Sequence, residues 1–149
     1  MSKQVKSFRN DGRTTATGLW NFAKAYIIAA DHVAKLKLSF SDPAYFLYAH
    51  GIELVLKAFL RAHDASLEEL QRLDHNLPAL LACARSWGLN EGPFADANKL
   101  LVERLYEYNR HHEFRYISTG YKSLPTTDDL HALGERLLDT TQSTASRGR

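Results

Sequence analysis

One segment of the chain is apolar around almost its whole circumference, and this constrains the fold more than any other feature. The segment runs from Pro43 to His63. Its few polar side chains recur every three or four residues, so on a helix of about 3.6 residues per turn they form one narrow stripe. A helix with so much apolar surface is predicted to lie at the centre of a bundle, with neighbours on several sides. The polar stripe consists of His50, Glu53, Lys57, Arg61 and Asp64.

The rest of the chain shows helical periodicity and no strand pattern. Further helices are predicted over residues 17–38, 66–73, 77–87, from 94 to 112 or 116, and from 126 or 127 onward. Ser66 and Glu69 match a capping box at the start of the short helix predicted over residues 66–73. We therefore expect an all-α, single-domain bundle of four to five mostly antiparallel helices over residues 17–140. Residues 1–16 are predicted to form a disordered basic arm, and residues 141–149 a frayed tail.

The charge of the chain is concentrated at its two ends. The formal net charge is +2, but residues 1–13 carry +3 and the last three residues carry +2. The remaining segment therefore carries −3. Because the predicted folded body is slightly acidic, bulk charge does not by itself predict a nucleic-acid-binding surface there.

Several classes of protein are excluded by missing patterns. No apolar run reaches the length of a membrane span, and the first residues lack the hydrophobic core of a secretory signal. The single Cys83 cannot form an intramolecular disulfide, which fits a cytoplasmic location. No P-loop, dinucleotide-binding or zinc motif occurs, and Asp128-x-x-His131 stands alone without a matching second motif. We expect no metal and no cofactor.

The polar stripe of the central helix is the first candidate functional feature. Glu53 and Lys57 stand at positions i and i+4, in the orientation that favours a helical ion pair. The stripe is either a thin solvated seam or the floor of a groove between helices or subunits.

A second candidate is the polar cluster between residues 104 and 116. On a helix, Arg104, Tyr108, His111 and Arg115 share one side, and Arg110 lies beside them. Arginine can hold a phosphate, histidine can transfer a proton near neutral pH, and aromatic rings can stack on a base. Metal-independent RNA cleavage requires these residue types. The alternative is a charged outer face, with acidic partners at Glu103, Glu107 and Glu113.

Three segments together resemble the HEPN superfamily of small helical domains. The run Tyr48 to Leu60, with its Glu-x-x-x-Lys pair, is similar to the central helix of that family. The turn His75-Asn76-Leu77 is similar to its His-Asp-Leu turn, and the segment from Tyr108 to Tyr116 is similar to the Arg-Tyr end of its last conserved helix. Their order and spacing carry the resemblance, which covers about residues 19–117.

The resemblance implies a helical bundle that dimerises and acts in prokaryotic toxin–antitoxin or phage-defence systems. A nucleotidyltransferase or an antitoxin is the implied partner, and RNA or a nucleotide the implied ligand. Catalytic members are metal-independent ribonucleases with an Arg-x(4–6)-His motif, which Arg104 and His111 match. Arg104 would then stabilise phosphate charge, and His111 would act as acid and base.

The same resemblance leaves a non-catalytic function open. Leu105 follows the arginine, where catalytic members usually have a polar residue. Non-catalytic members bind nucleotides or serve as interaction and dimerisation modules. The candidate binding residues are Arg110, Arg115, Tyr108, Glu53 and Lys57.

Overall fold

The computed structural model describes residues 14–110 and 124–148. These residues form six α-helices and one turn of 3-10 helix at Gly92–Phe94, and they contain no strand, which confirms the predicted all-α class. None of the described helices is both long and apolar enough to span a membrane. Residues 1–13 of the predicted arm lie outside the described ranges. The helices are α1 (Ala16–Lys35), α2 (Asp42–Ala62), α3 (Leu67–Leu73), α4 (Leu77–Ser86), α5 (Ala95–Arg110) and α6 (Thr127–Gly148).

Helix α2 lies at the centre of the bundle, as its apolar circumference predicts. It contacts each of the other five described helices. Ile52, Val55 and Leu56 are completely buried, so successive side chains of this helix face different neighbours. Burial on several sides removes far more apolar surface from water than a single face could, and this makes α2 the main source of hydrophobic stabilisation.

Two glycines allow α1 to pack closely against α2 and α6. A Cβ atom at Gly51 of α2 would lie 2.7 Å from Ile27 Cγ1 and 3.3 Å from the backbone oxygen of Ala23. A Cβ atom at Gly134 of α6 would lie 3.1 Å from the same isoleucine side chain. The completely buried Ile27 therefore fills the space between three helices, and that space depends on both glycines.

Side-chain caps stabilise the first turns of α3 and α4. Ser66 and Glu69 form the predicted capping box at the start of α3. The Asn76 side chain caps α4 by accepting a hydrogen bond from the Ala79 N–H at 3.1 Å. Each cap satisfies backbone donors that the first turn of a helix leaves open, and the Asn76 cap does so at the end of the short turn between these helices.

The start of α2 is held by contacts from other elements. Ser41 stands at the N-cap position but makes no side-chain capping bond. Asp42 instead accepts a hydrogen bond from the hydroxyl of Tyr108 on α5. The Tyr45 hydroxyl donates to the Pro125 carbonyl oxygen, and burial, together with nearby carboxylates, raises the pKa of this phenol. The first turn of α2 is thus tied to α5 and to the chain that precedes α6.

The C-terminal segment that we expected to fray from residue 141 continues α6 as far as Gly148. Thr141 is completely buried, and its hydroxyl accepts a hydrogen bond from the Trp20 indole N–H at 3.2 Å. Ala145 is also buried, and its carbonyl oxygen accepts from the Thr17 hydroxyl at 3.0 Å. Small and hydroxylated residues therefore continue the inner face of α6 along α1. Their polar composition conceals this face in the sequence.

Candidate functional site

A buried carboxylate on α2 joins two positively charged or proton-donating side chains. Glu53 is only 6% exposed. Its Oε2 accepts a hydrogen bond from Lys57 Nζ at 2.8 Å, and its Oε1 lies 2.8 Å from His75 Nδ1. A carboxylate buried this deeply needs such partners, because burial without them is costly. The predicted ion pair between Glu53 and Lys57 is therefore present, and it belongs to a larger cluster.

His75 reaches Glu53 because the turn between α3 and α4 directs it there. Asp74 ends α3 with a positive φ of 51°, and Asn76 begins the next helix. The His75 side chain is 74% exposed, although its Nδ1 contacts a buried carboxylate. Its Nε2 lies 3.4 Å from the exposed carboxylate of Asp74, so both ring nitrogens face an acid. Imidazole can donate or accept a proton at either nitrogen, which makes His75 a candidate for proton transfer at the edge of this cluster.

This cluster forms one wall of a pocket between α2, the α3–α4 turn and α5, which we name the α2–α5 pocket. Its volume is about 390 Å³. Binding sites for small molecules commonly have volumes of about 300–1,000 Å³ and combine apolar walls with a few polar groups. The lining residues are Phe46, Ala49, His50, Glu53, His75, Leu77, Tyr106, Asn109 and Arg110.

Helix α5 supplies the opposite wall of the pocket. Tyr106 and Arg110 are one helical turn apart, and the Arg110 guanidinium carbon lies 5.6 Å from the centre of the Tyr106 ring. Arg110 is half exposed and pairs with Glu107 at 3.4 Å, a contact that contributes little at a surface. A shallower extension of about 400 Å³ continues past His75, Tyr106 and Arg110 to Arg72. The pocket thus combines an apolar part with an edge that carries two arginines.

The structure brings three of the predicted site residues together. Glu53 and Arg110 line the α2–α5 pocket, and Lys57 is bonded to Glu53. Arg104 is half-buried on α5 and is not among the residues that line this pocket. Tyr108 lies on another side of α5, where it is 7% exposed. Its ring packs edge-to-face on an α2 tyrosine, with ring centres 4.7 Å apart.

The other two predicted site residues, His111 and Arg115, lie outside the described residues. The proposed pairing of Arg104 with His111 therefore stays a prediction.

Two residues of the pocket were not among those singled out from the sequence. His75 was recognised only as part of a turn, and the signal that could have revealed it is its resemblance to the histidine of the family's His-Asp-Leu turn. The sequence predicts Tyr108 as a site residue, whereas the structure places Tyr106 at the pocket. The spacing of Tyr106 and Arg110 at i and i+4 could have shown that these two share a face.

The pocket brings together three functional groups. The Nε2 of His75 can accept or donate a proton, the Arg110 guanidinium can bind an anion, and the Tyr106 ring can cover a flat ligand. Neither a family model, nor a curated protein, nor a solved structure matches this chain.

Proposed function

We propose that this chain is a HEPN-like domain of the prokaryotic toxin–antitoxin or phage-defence type, and that its α2–α5 pocket binds a nucleotide or an RNA segment. The observation that carries the proposal is the pairing of His75 with the buried Glu53 at the edge of a pocket that also presents Arg110. Both Glu53 and His75 belong to the segments that carry the family resemblance.

The shape and chemistry of the pocket support a nucleotide ligand. Tyr106 and Phe46 provide aromatic surface for a base, and Phe46 is 61% exposed in the free chain. Arg110 and the neighbouring Arg72 provide positive charge for phosphate at the same end of the pocket. Base stacking and charge-assisted phosphate contacts are the two main sources of affinity for single-stranded nucleic acid.

A ribonuclease activity is the catalytic form of this proposal. Cleavage without a metal needs a base for the 2′-hydroxyl and a cation for the developing phosphorane charge. Arg104 and His111 are the pair that the family motif indicates. Within the described residues, His75 and Arg110 line the same pocket and are the candidates for these two functions. The non-catalytic form needs only the binding contacts.

Binding is tested with fluorescent mononucleotides and short RNA oligomers on the full chain. We expect Arg110→Ala to weaken binding about tenfold or more, because a charge-assisted hydrogen bond contributes about 1.5–3 kcal/mol. The matched control is Arg147→Ala, which removes an exposed arginine near the end of α6 and should leave affinity unchanged. Equal binding by Arg110→Ala and the unaltered chain would contradict a role for this pocket.

Catalysis is tested by RNA cleavage in EDTA with the unaltered chain and with His75→Ala and His111→Ala. Loss of cleavage in one variant assigns the acid–base function to that histidine. Equal cleavage by all three proteins, or none by any of them, counts against catalysis by either residue and leaves only the binding function.

An interaction module is the second candidate, and a separate observation favours it. A groove of about 470 Å³ beside the start of α2 is lined by Leu38, Phe40 and Phe46. Phe40 is 71% exposed and Leu38 is 50% exposed, and exposed apolar patches of this kind often mark protein interfaces. The interface proposed for this groove is a homodimer. A nucleotidyltransferase or an antitoxin is the further partner that the family resemblance implies.

The homodimer is tested by sedimentation equilibrium. Phe40→Asp should shift the chain toward a monomer, whereas Phe22→Asp, at an equally exposed phenylalanine of α1, should not. A monomeric unaltered chain would contradict the homodimer.

A further inference from the structure

A second cluster of polar side chains lies on the opposite side of α2, where α1 packs against α6. His131 and Glu135 stand at i and i+4 on α6 and so share one face of that helix. Asp31 reaches them from α1, although it is 100 positions away from His131 in the chain. One potential ligand atom from each of the three side chains lies within 4.8 Å of the others.

We propose that Asp31, His131 and Glu135 bind one divalent transition-metal ion of the zinc class. An imidazole nitrogen with two carboxylate oxygens is a ligand set that such ions accept. With bonds of about 2.1 Å to a tetrahedral ion, the ligand atoms would be about 3.4 Å apart. The His131 Nδ1–Asp31 Oδ2 pair, now 2.9 Å apart, would open by about 0.5 Å and exchange its hydrogen bond for bonds to the metal. The wider separations, which reach at most 4.8 Å, would contract by up to about 1.4 Å, and a rotation of the exposed Glu135 side chain can supply this. This inference does not depend on the proposed function of the α2–α5 pocket.

The Asp31 carboxylate is already oriented by a buried neighbour. The hydroxyl of Tyr48, a residue of α2 that is 1% exposed, donates to Asp31 Oδ1 at 2.5 Å. A hydrogen-bonded neighbour that holds a ligand carboxylate in place is the usual second layer of a metal site.

The charge around the cluster also favours a cation. His131 Nδ1 lies 2.9 Å from Asp31 Oδ2. The carboxylates of Glu135 and Asp128 make no ion pair with any lysine, arginine or histidine in the described parts of the chain. Asp128 lies three residues before His131, on the same side of α6. A divalent ion would neutralise this local excess of negative charge.

The test uses the full chain without an affinity tag. Zn²⁺ binding is followed by calorimetry, and Co²⁺ is used as a spectroscopic probe of the ligand set. We expect one ion per chain, a visible Co²⁺ absorption typical of four- or five-fold coordination, and an increase in thermal stability with added Zn²⁺. His131→Ala should weaken binding about tenfold or more, and Glu135→Gln should do the same.

Three controls make the result specific. His32→Ala removes an exposed histidine next to Asp31 and should bind Zn²⁺ as the unaltered chain does. The double variant His111→Ala/His112→Ala removes an adjacent histidine pair that could bind metal on its own, and it should also retain binding. Circular dichroism confirms that His131→Ala is folded. Equal affinity of His131→Ala and His32→Ala, or no Zn²⁺ binding by the unaltered chain, would overturn the proposal.

Discussion

Two carboxylates in different parts of the bundle have similar bonding partners, but the net charge of their surroundings differs. Glu53 on α2 and Asp31 on α1 each bind two side chains, one of which is a histidine from a later part of the chain. The side chains of the two histidines, His75 and His131, are 74% and 49% exposed. In each case a partly or fully buried acid holds an accessible imidazole.

The second partner of each carboxylate makes the difference. Glu53 also binds the cationic Lys57, so its negative charge is compensated within the cluster. Asp31 binds the neutral hydroxyl of Tyr48, and the carboxylate of Glu135 lies beside it. The same pairing of acid and histidine therefore stands in surroundings of different charge. This difference in charge is why we propose an anionic ligand at the first site and a cation at the second.

The largest effect on stability is expected from removing Glu53, the acid whose charge is compensated by Lys57. Glu53→Ala leaves Lys57, whose side chain is 14% exposed, without its partner. We expect the free energy of unfolding to fall by about 3 kcal/mol, since breaking a buried ion pair typically costs about 3–5 kcal/mol and lysine can partly reach water. Urea denaturation measures this. The double variant Glu53→Leu/Lys57→Met should recover most of the loss, and a cost below about 1 kcal/mol for Glu53→Ala would show that the cluster is solvated.

The next test changes the helix packing that places Asp31. Gly51→Ala puts a methyl group 2.7 Å from Ile27 Cγ1, so α1 must move away from α2. We expect a loss of about 1–2 kcal/mol, in which the strain of overpacking exceeds the gain in helix propensity. Gly134→Ala, at 3.1 Å from the same side chain, should cost less. Unchanged urea midpoints for both variants would show that α1 can accommodate a methyl group at either position without loss of packing.

A smaller loss of stability is expected from removing the Tyr48 hydroxyl, which is the uncharged partner of Asp31. Tyr48→Phe keeps the buried ring and removes only the hydrogen bond to Asp31. Because the Asp31 side chain is 19% exposed, water can replace the hydroxyl, and the loss should be about 1 kcal/mol. A loss as large as that of Glu53→Ala would show that a charged and an uncharged second partner stabilise these two carboxylates equally.

The smallest effect on stability is expected at Glu69, an exposed acid that serves as a reference for Glu53 and Asp31. Hydrogen bonds from the Ser66 backbone and hydroxyl lower the pKa of Glu69. A lowered pKa in the folded state contributes stability above the unfolded-state pKa, and this contribution is lost as the pH falls through the folded-state value. Urea denaturation of Glu69→Gln and the unaltered chain should therefore differ slightly at pH 7 and converge in acid. A difference that grows as the pH falls would have the wrong sign.

The sequence predicted those features that depend on neighbours within a few positions. The apolar circumference of α2, the i, i+4 pair of Glu53 with Lys57 and the capping box at Ser66 are all local patterns. Helical geometry alone places these side chains next to each other, so no knowledge of the tertiary fold was needed.

The parts of the sites that the sequence did not predict come from distant segments. His75 is 22 positions from Glu53, and Asp31 is 100 positions from His131. Which of the exposed histidines meets which acid depends on how the helices pack. The lone Asp128-x-x-His131 pattern gave no metal prediction for this reason, because the carboxylate nearest to His131 lies on another helix.

The hydrogen bond from Thr17 to the Ala145 carbonyl oxygen places the beginning of α1 beside the end of α6. A short glycine-rich peptide could therefore join residue 148 to residue 14, with new chain ends opened in the exposed stretch from Leu36 to Ser41. A circular permutant of this design would retain all six described helices. Its folding would show whether the packing of this bundle depends on the order of the helices along the chain.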